Sequence, residues 1–415
     1  MNYPILNVSD KPVGLYMRIA VVDDAGFGLG GGRGVYGKEV YSGALSAIYR
    51  ELVGLDVIKI LLGEGATEFE DVIRIVGSKM PIVRALYDGK TAEQLSKIVK
   101  EKDIKVIHTN INNPRYVNPL IAVKKRLGVK LITTVHGWAF VCPTGWKVRF
   151  PEMKSCDIRA PGIKCIKCIR SMNKVLNYKY AEISKGFFLT YSLQKLARNS
   201  DIVIVPSKEL AGRLTKEVDL NNIVYIPHPV DPQLLSIKPT SPESDFALFI
   251  GRLDFSKGAH LLPQIADLIK PIELHIVGQG PLKDYILKNL SKNLVYHGYV
   301  SNEEKIALLR KASVVVTPSI YHELYSYVVI EALSMARPVV AFSLGGPKEL
   351  IESSEAGLLA SPYNLEELSE YVKSLVPNKE RSFRLGLKGR KYVEENLTPM
   401  KYAEKLQRVF ESFYE

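Results

Sequence analysis

Residues 315–347 read VVTPSIYHELYSYVVIEALSMARPVVAFSLGGP. The β-branched run at 314–316 predicts a buried strand. A loop carrying His322 and Glu323 follows, and a helical pattern then runs through Glu331 until Pro338 stops it. Seven residues separate Glu323 from Glu331. A helix that begins just after Glu323 puts the first carboxylate at its mouth and the second about two turns inside. Unpaired N–H groups at a helix start suit an anion, and flanking carboxylates accept hydrogen bonds from hydroxyls. The combination predicts a ligand bearing both phosphates and sugar hydroxyls, with two solvated surface glutamates as the alternative.

The chain of 415 residues is long enough for two domains, each with its own core. At 46% hydrophobic and 24% charged residues it has the balance of a globular protein. No run of about 18 apolar residues predicts a membrane-spanning helix, and the N-terminus lacks a signal-peptide pattern, so the expected location is cytoplasmic. Met17 is a second candidate start. The net charge of +12 predicts attraction to something anionic. The phosphates of such a ligand need only part of it; acidic lipid head groups, nucleic acid, or water alone can take the surplus.

Residues 17–23 (MRIAVVD) predict a buried parallel strand, and the glycine-dense turn AGFGLGGGRGVYG at 25–37 follows it. Glycines there let backbone approach a phosphate or sugar closely. A dinucleotide fingerprint, Gly26-x-Gly28-x-x-Gly31, is the rival reading, but the acidic residue it wants at the end of a second strand is poorly supplied, because 57–62 runs into Gly63-Glu64. Strand and helix signals then alternate at 72–76, 92–102, 106–108, 119–127 and 131–136, which predicts an open parallel sheet with helices on both faces. Such sheets bind ligands at the C-terminal ends of their strands, where Thr133-Thr134-Val135-His136-Gly137 places His136.

All four cysteines, Cys142, Cys156, Cys165 and Cys168, fall within 27 residues, the last two as Cys-x2-Cys. Four thiolates so gathered fit a structural zinc site. Two disulfides, free thiols or an iron–sulfur cluster are the other readings, because the spacing is not that of a standard finger. Residues 164–198 interleave Lys164, Lys167, Arg170, Lys174, Lys179, Lys185, Lys195 and Arg198 with Tyr178, Tyr180, Phe187, Phe188 and Tyr191. Aromatics packed in a core with lysines in water explain this pattern; an anionic membrane surface is the competing explanation. Residues 201–207 and 223–227 predict the last strands of the first domain, and the prolines at 227, 229, 232, 239 and 242 a linker.

The second domain opens on a strand at 246–250 and the turn Gly251-Arg252-Leu253-Asp254-Phe255-Ser256-Lys257-Gly258. Arg252 can engage phosphate oxygens bidentately and Lys257 adds a compact charge. Residues 274–281 (LHIVGQGP) and 295–300 (VYHGYV) add two strand-and-turn units, and 400–414 an amphipathic helix.

Gly-Arg and Lys-Gly in one turn, then a Glu-x7-Glu element followed by Pro-Val and Gly-Gly, make the sequence resemble the retaining glycosyltransferases of family 4 (glycosyl transferases group 1). The resemblance covers most of the chain, firmly from about 246 to 359. It departs from the usual pattern at Leu324 (commonly Pro), Ser326 and Ala336 (commonly Gly), and at His228-Pro229 (commonly Asn-Gly). It implies an α/β, GT-B fold of two Rossmann-like domains whose parallel sheets face a central cleft. The expected parts are an acceptor domain at 1–228 with a cysteine-bearing insertion at about 138–200, a nucleotide-sugar domain at 229–398, and a helix at 399–415 returning to the first domain. By carry-over, His136 and Glu323 are the catalytic candidates, while Gly31, Gly32, Arg252, Lys257, Glu331, Tyr325 and Ser326 are donor-binding. Arg252 and Lys257 would neutralise the donor diphosphate, Glu323 would hold sugar hydroxyls and Glu331 the ribose.

The implied activity is metal-independent transfer of a hexosyl group, with retention, from a UDP- or GDP-sugar to a glycan or lipid-linked acceptor. The implied setting is the cytoplasm or the inner membrane face; nucleic acid is not expected as a partner, and the only metal in view is structural zinc. No Asp-x-Asp stands at a strand end to hold a catalytic one. Three rivals remain: a nucleotide-sugar epimerase of the same fold, a nicotinamide-dependent oxidoreductase built on the Gly26–Gly34 loop, and a basic cysteine-knuckle nucleic-acid-binding protein.

Overall fold

A computed structural model describes residues 17–24, 45–63, 72–76, 88–152, 154–176 and 182–413. The chain divides into two compact units, residues 1–227 with 402–415, and residues 228–401. Gly31 and Gly32, and with them the whole glycine-dense turn, lie outside the described residues.

The first unit carries a seven-stranded sheet in the order β3-β2-β1-β4-β5-β8-β9. Its strands are β1 (Arg18–Asp24), β2 (Asp56–Leu62), β3 (Val72–Ile75), β4 (Val106–Thr109), β5 (Lys130–Thr134), β8 (Ile202–Val205) and β9 (Ile223–Tyr225), all paired in parallel. The hairpin β6 (Val148–Arg149) and β7 (Lys154–Ser155) stands apart as its own two-stranded sheet. Both faces of the large sheet are covered, which is why its central strands β4 and β8 are buried at every residue rather than at alternate ones. Helices α1 (Gly89–Glu101) and α2 (Val117–Leu127) cover one face with Leu95, Val99, Leu120 and Val123. The other face packs Leu45, Ile48 and Tyr49 against Tyr402, Leu406, Val409 and Phe410 of the C-terminal helix. Three further helices complete this unit: α3 (Ile163–Leu176), α4 (Glu182–Asn199) and α5 (Lys208–Val218). Asp88 caps α1 by accepting from the Thr91 amide, and its second oxygen takes the Arg115 guanidinium at 3.1 Å. A buried polar chain crosses the sheet, from the Tyr49 hydroxyl to His108 Nδ1 at 2.5 Å and from His108 Nε2 to the Thr134 hydroxyl at 2.6 Å.

The basic and aromatic stretch packs as helices. In α4, Leu189, Leu193, Leu196 and Ala197 are buried while Lys185, Lys195 and Arg198 face water. Tyr191 departs from that pattern and is 62% exposed; Tyr178 and Tyr180 lie outside the described residues.

The second unit begins with the short helix α6 (Pro232–Ser236), started by the Asp231 cap in what the prolines had predicted to be linker. Its six parallel strands run in the order β12-β11-β10-β13-β14-β15. They are β10 (Phe246–Ile250), β11 (Glu273–Val277), β12 (Leu294–Gly298), β13 (Val314–Thr317), β14 (Val339–Phe342) and β15 (Gly357–Ala360). Between them run α7 (Leu262–Leu268), α8 (Lys283–Lys288), α9 (Asn302–Lys311), α10 (Tyr327–Ser334), α11 (Gly345–Ser354), α12 (Leu365–Leu375) and α13 (Lys379–Asn396). The helix α14 (Pro399–Glu411) carries the chain back into the first unit.

Two buried arginines close helix ends. Arg337 donates to the Leu309 and Arg310 carbonyls in the last turn of α9, and Arg390 to Ser334 O at 2.6 Å at the end of α10. In each sheet the strand order reverses at one point, between β1 and β4 in the first and between β10 and β13 in the second. Open parallel sheets bind ligands outside the C-terminal strand ends at such points.

Candidate functional site

In the second unit the loop after β10 is built on Asp254. Its Oδ1 accepts from the Ser256 hydroxyl at 2.6 Å and the Lys257 amide at 3.0 Å, and its Oδ2 pairs with Arg252. The loop after β13 meets it closely, with the Ile320 amide donating to Ser256 O at 3.0 Å. Gly258, at φ +71°, lies so near that a Cβ would collide with the Pro318 carbonyl.

These loops bring together Lys257 and Glu323, distant in sequence. Lys257 Nζ donates to Glu323 Oε2 at 2.7 Å, and the Ser319 hydroxyl donates to Oε1. Glu323 is buried, whereas the Lys257 side chain keeps 26% of its surface exposed. Burial works against the Lys257 charge, but the adjoining Glu323 carboxylate outweighs it and holds the ammonium well above its ordinary range. The same ammonium lies 5.7 Å from the centre of the Tyr321 ring. Burial pushes the Tyr321 hydroxyl up to about 12. The result is a fixed cation beside neutral hydroxyl groups. Arg252 is more than half exposed, so beyond Asp254 its guanidinium has open solvent.

Helix α10 begins at Tyr327 rather than just after Glu323. Residues 323–326 stay outside the helix instead, with a bend at Leu324. The Gly346 amide donates to Glu323 O at 2.5 Å, the Tyr325 hydroxyl to His228 O at 2.6 Å, and Ser326 has φ −113° and ψ 100°. Glu323 therefore stands before the helix, not at its mouth, and Glu331 is one turn inside it rather than two. Gly345, at φ +55°, packs against the Glu323 backbone where a Cβ would clash, which lets the loop after β14 close over this segment. Glu331 accepts from Lys305 Nζ at 2.8 Å at a part-exposed position. Tyr325 and Ser326 occupy the residues entering α10, and Ser326 is buried without capping the helix through its side chain.

Sequence reasoning missed His228, which it treated only as an altered turn. The imidazole is buried, stacks on Tyr327 with ring centroids 5.9 Å apart and meets Tyr325 edge-on at 5.1 Å. Burial depresses it to about 3, so it is neutral at ordinary pH. Only the aromatic pair at 325 and 327 hinted at a buried partner. Ser319, Tyr321 and Asp254 were missed too, although each lies within four residues of a predicted site residue.

In the first unit His136 lies two residues beyond β5, and its Nε2 meets Asn110 Oδ1 at 3.1 Å. Asn110 follows β4 and is fully buried, and its Nδ2 has no partner among the described residues. Asp24, at the end of β1, accepts from the Asn112 and Asn113 amides. A polar set of an imidazole, an amide and a carboxylate thus marks the reversal point of this sheet.

The four cysteines are buried, none is joined in a disulfide, and all line one cavity. Burial pushes the Cys168 thiol up to about 11, and the three neighbouring thiols add to the shift. Among the described residues no helix is long and apolar enough to cross a membrane.

Two family models match in tandem, Glycosyltransferase Family 4 over residues 50–234 and Glycosyl transferases group 1 over residues 233–392. An uncharacterized glycosyltransferase of Methanocaldococcus jannaschii is 28% identical over 208 residues, 49% of this chain and 57% of the relative. The poly(ribitol-phosphate) α-N-acetylglucosaminyltransferase of Staphylococcus aureus is 31% identical, over 39% of this chain and 34% of the relative. The chain thus spans about a third to somewhat over half of these curated relatives. Among solved structures, Anabaena HepE in complex with UDP superposes with a TM-score of 0.68 at 16% identity, covering 95% of this chain and all of that one. Sucrose-phosphate synthase from Thermosynechococcus elongatus gives 0.67 at 18% identity, over 96% and 99%. With two parallel Rossmann-like sheets, the Lys257 and Glu323 loops and both tandem matches, the chain belongs to the group 1, family 4 glycosyltransferases and has their GT-B fold.

Proposed function

We propose that this chain transfers a sugar, with retention at the anomeric carbon, from a nucleotide-diphosphate-sugar to a glycan or lipid-linked acceptor, and that it needs no metal for the chemistry. The observation that carries this reading is the Lys257–Glu323 pair at the reversal point of the second sheet, with the exposed Arg252 beside it. In the reaction the bond from the anomeric carbon to the diphosphate oxygen breaks, a bond to the acceptor oxygen forms on the same face, and the acceptor's proton is released. The barrier falls as negative charge growing on the departing phosphate is met by cations already in place. Lys257 and Arg252 supply them, and the amides at the start of α10 extend the same field.

Glu323 holds donor-sugar hydroxyls through its oxygens, and Glu331 takes the ribose once Lys305 shares it. Tyr325 and Ser326 line the approach to α10, and Gly31 and Gly32 bring backbone close to the donor. The His136–Asn110 pair offers hydrogen bonds of the kind that sugar hydroxyls make. UDP is the first donor base to try, because HepE was solved with UDP; GDP is the second. The matched families favour neither the epimerase nor the nucleic-acid alternative. The exposed Ile163, Lys164 and Lys167 of α3 and Tyr191, Lys195 and Arg198 of α4 support a lipid-linked acceptor at an anionic, cytoplasmic membrane surface.

A thermal-shift series with nucleoside diphosphates and their sugars, run with a chelator present, tests the reading. Stabilisation by one base over the others is expected, as is turnover only when an acceptor is added. No shift with any nucleotide would overturn it, and donor turnover without acceptor would favour the epimerase.

A further inference from the structure

The segment between β5 and α4 departs from the plain alternation of strand and helix. Among the described residues its only sheet is the two-residue-by-two-residue hairpin of β6 and β7, and a hairpin that small is not stable by itself in water. Around the hairpin Arg149, Pro151, Glu152, Lys154, Ser155 and Asp157 are exposed, while Val148, Phe150 and Cys156 are buried.

What it does enclose is a cavity of about 10 Å³, the size of one water-sized body. Its lining is apolar except for Thr144 and the four thiols of Cys142, Cys156, Cys165 and Cys168. These thiols come from three separate pieces of chain. Cys142 sits in a turn closed by the Gly145 amide on Cys142 O at 2.9 Å. Cys156 leaves the hairpin, its amide bonded to Lys147 O at 3.0 Å. Cys165 and Cys168 lie three apart in the first turns of α3, hence on one face.

The surrounding frame is built as a support for such a cluster. Lys147, at φ +54° and fully buried, pairs with both oxygens of Glu217 at 2.8 Å and donates to the Val141 and Ile158 carbonyls on either side of the cavity. Gln194 of α4 ties Phe140 O to Ala160 O, and Arg213 holds Cys156 O at 3.3 Å. Three hydrogen bonds already engage the sulfurs: the Phe150 amide donates to Cys168 Sγ at 3.4 Å, the Cys168 thiol donates to Val148 O at 3.6 Å, and the Thr144 hydroxyl meets Cys142 Sγ at 3.1 Å. Partners of this kind orient and tune thiolate ligands.

We propose that the cavity is a structural zinc site with Cys142, Cys156, Cys165 and Cys168 as its tetrahedral ligands, a clip for the insertion and not part of the sugar chemistry. Among the described residues no three such side chains already converge on a metal position. Loading therefore turns the four side chains inward, on backbones that already surround one point, to sulfur–metal distances of about 2.3 Å. Each thiol gives up its proton to solvent as the dication enters, leaving a formal site charge of −2 from four thiolates and one Zn²⁺. Disulfide pairing would instead join the segments two at a time and leave the common cavity unexplained.

Metal analysis of the purified full chain tests this directly. About one zinc per chain is expected, released when the thiols are modified. Replacing it with cobalt should give the thiolate-to-cobalt charge-transfer and strong visible bands of a tetrahedral sulfur site. Cys165→Ser and Cys168→Ser should each bind metal at least about tenfold more weakly. The cobalt spectrum of the unaltered chain is the second readout should a variant fail to fold. A chain that takes up no metal, shows a weak octahedral cobalt spectrum, keeps full affinity in both variants, or holds two disulfides when fully active would overturn the proposal.

Discussion

The C-terminal edges of the two sheets are built alike and equipped differently. Each has a reversal of strand order, a glycine-bearing stretch of sequence after its first strand and polar residues on the neighbouring loops. In the first unit those residues are an imidazole on an amide at 3.1 Å and the Asp24 carboxylate, held by two backbone amides. In the second they are ionic, with a lysine and a buried glutamate locked at 2.7 Å. Topology thus fixes where each sheet can bind a ligand, and the loops decide what chemistry each edge offers. The ionic edge of the second unit suits phosphate.

The sharpest way to break that comparison is Lys257→Ala. We expect kcat/KM to fall by about 2–4 kcal/mol of transition-state stabilisation, as for loss of an oxyanion donor. The fall should be accompanied by lower thermal stability, because the buried Glu323 is left without its cation. Turnover near that of the unaltered chain would remove the phosphate role from this edge.

Acid should affect both units alike. His108 and His228, one in each, are depressed by burial to about 3. The unfolded chain, with histidines near pH 6.5, then binds more protons than the folded one between those values, so the stabilisation is complete above about pH 6.5 and is lost as pH falls toward 3. From pH 7 to pH 5 each histidine should cost about 2 kcal/mol, readable in urea midpoints. His108→Gln should remove only its own share of the slope; an unchanged slope would show that its imidazole is not held neutral.

Arg252→Ala should cost less than the lysine change, about tenfold in kcat/KM, or about 1.4 kcal/mol. Its guanidinium is exposed and already shared with Asp254. Equal losses at both positions would mean that the two cations act as one unit. Ala336→Gly is the smallest effect. Ala336 holds φ +52° in the turn after α10, a conformation costly to any residue with a Cβ, although its methyl is buried. Relief of strain should slightly exceed the lost packing and raise stability by up to about 1 kcal/mol; a fall in the melting temperature would show that the methyl's packing dominates.

Much of this was legible in the residues because parallel strands buried on both faces are continuous β-branched runs. VVVT at β13 and IVIV at β8 stand where the pattern predicts them. Arg252, Lys257 and Glu323 were legible because their turns follow such strands directly. The start of α10 was not, since what delays it to Tyr327 is a set of bonds from Gly346 and His228, residues remote in sequence from the segment they hold. For the same reason a histidine in a proline-rich turn gave no sign that it would stack on Tyr327. The four thiols were legible as a group, but their common cavity depends on Lys147, Gln194 and Arg213, which no local pattern links to them.

The C-terminal helix has a consequence for the order in which this polypeptide matures. Tyr402, Leu406, Val409 and Phe410 complete one face of the first sheet, yet a ribosome makes them after every residue of the second unit. Domains usually fold as they emerge, N-terminal first. Here the second unit can close its core while the first still waits for its last helix. That interval leaves Ile19, Val21, Tyr49 and Ile204 without the partners that cover them in the finished fold until residues 402–410 emerge.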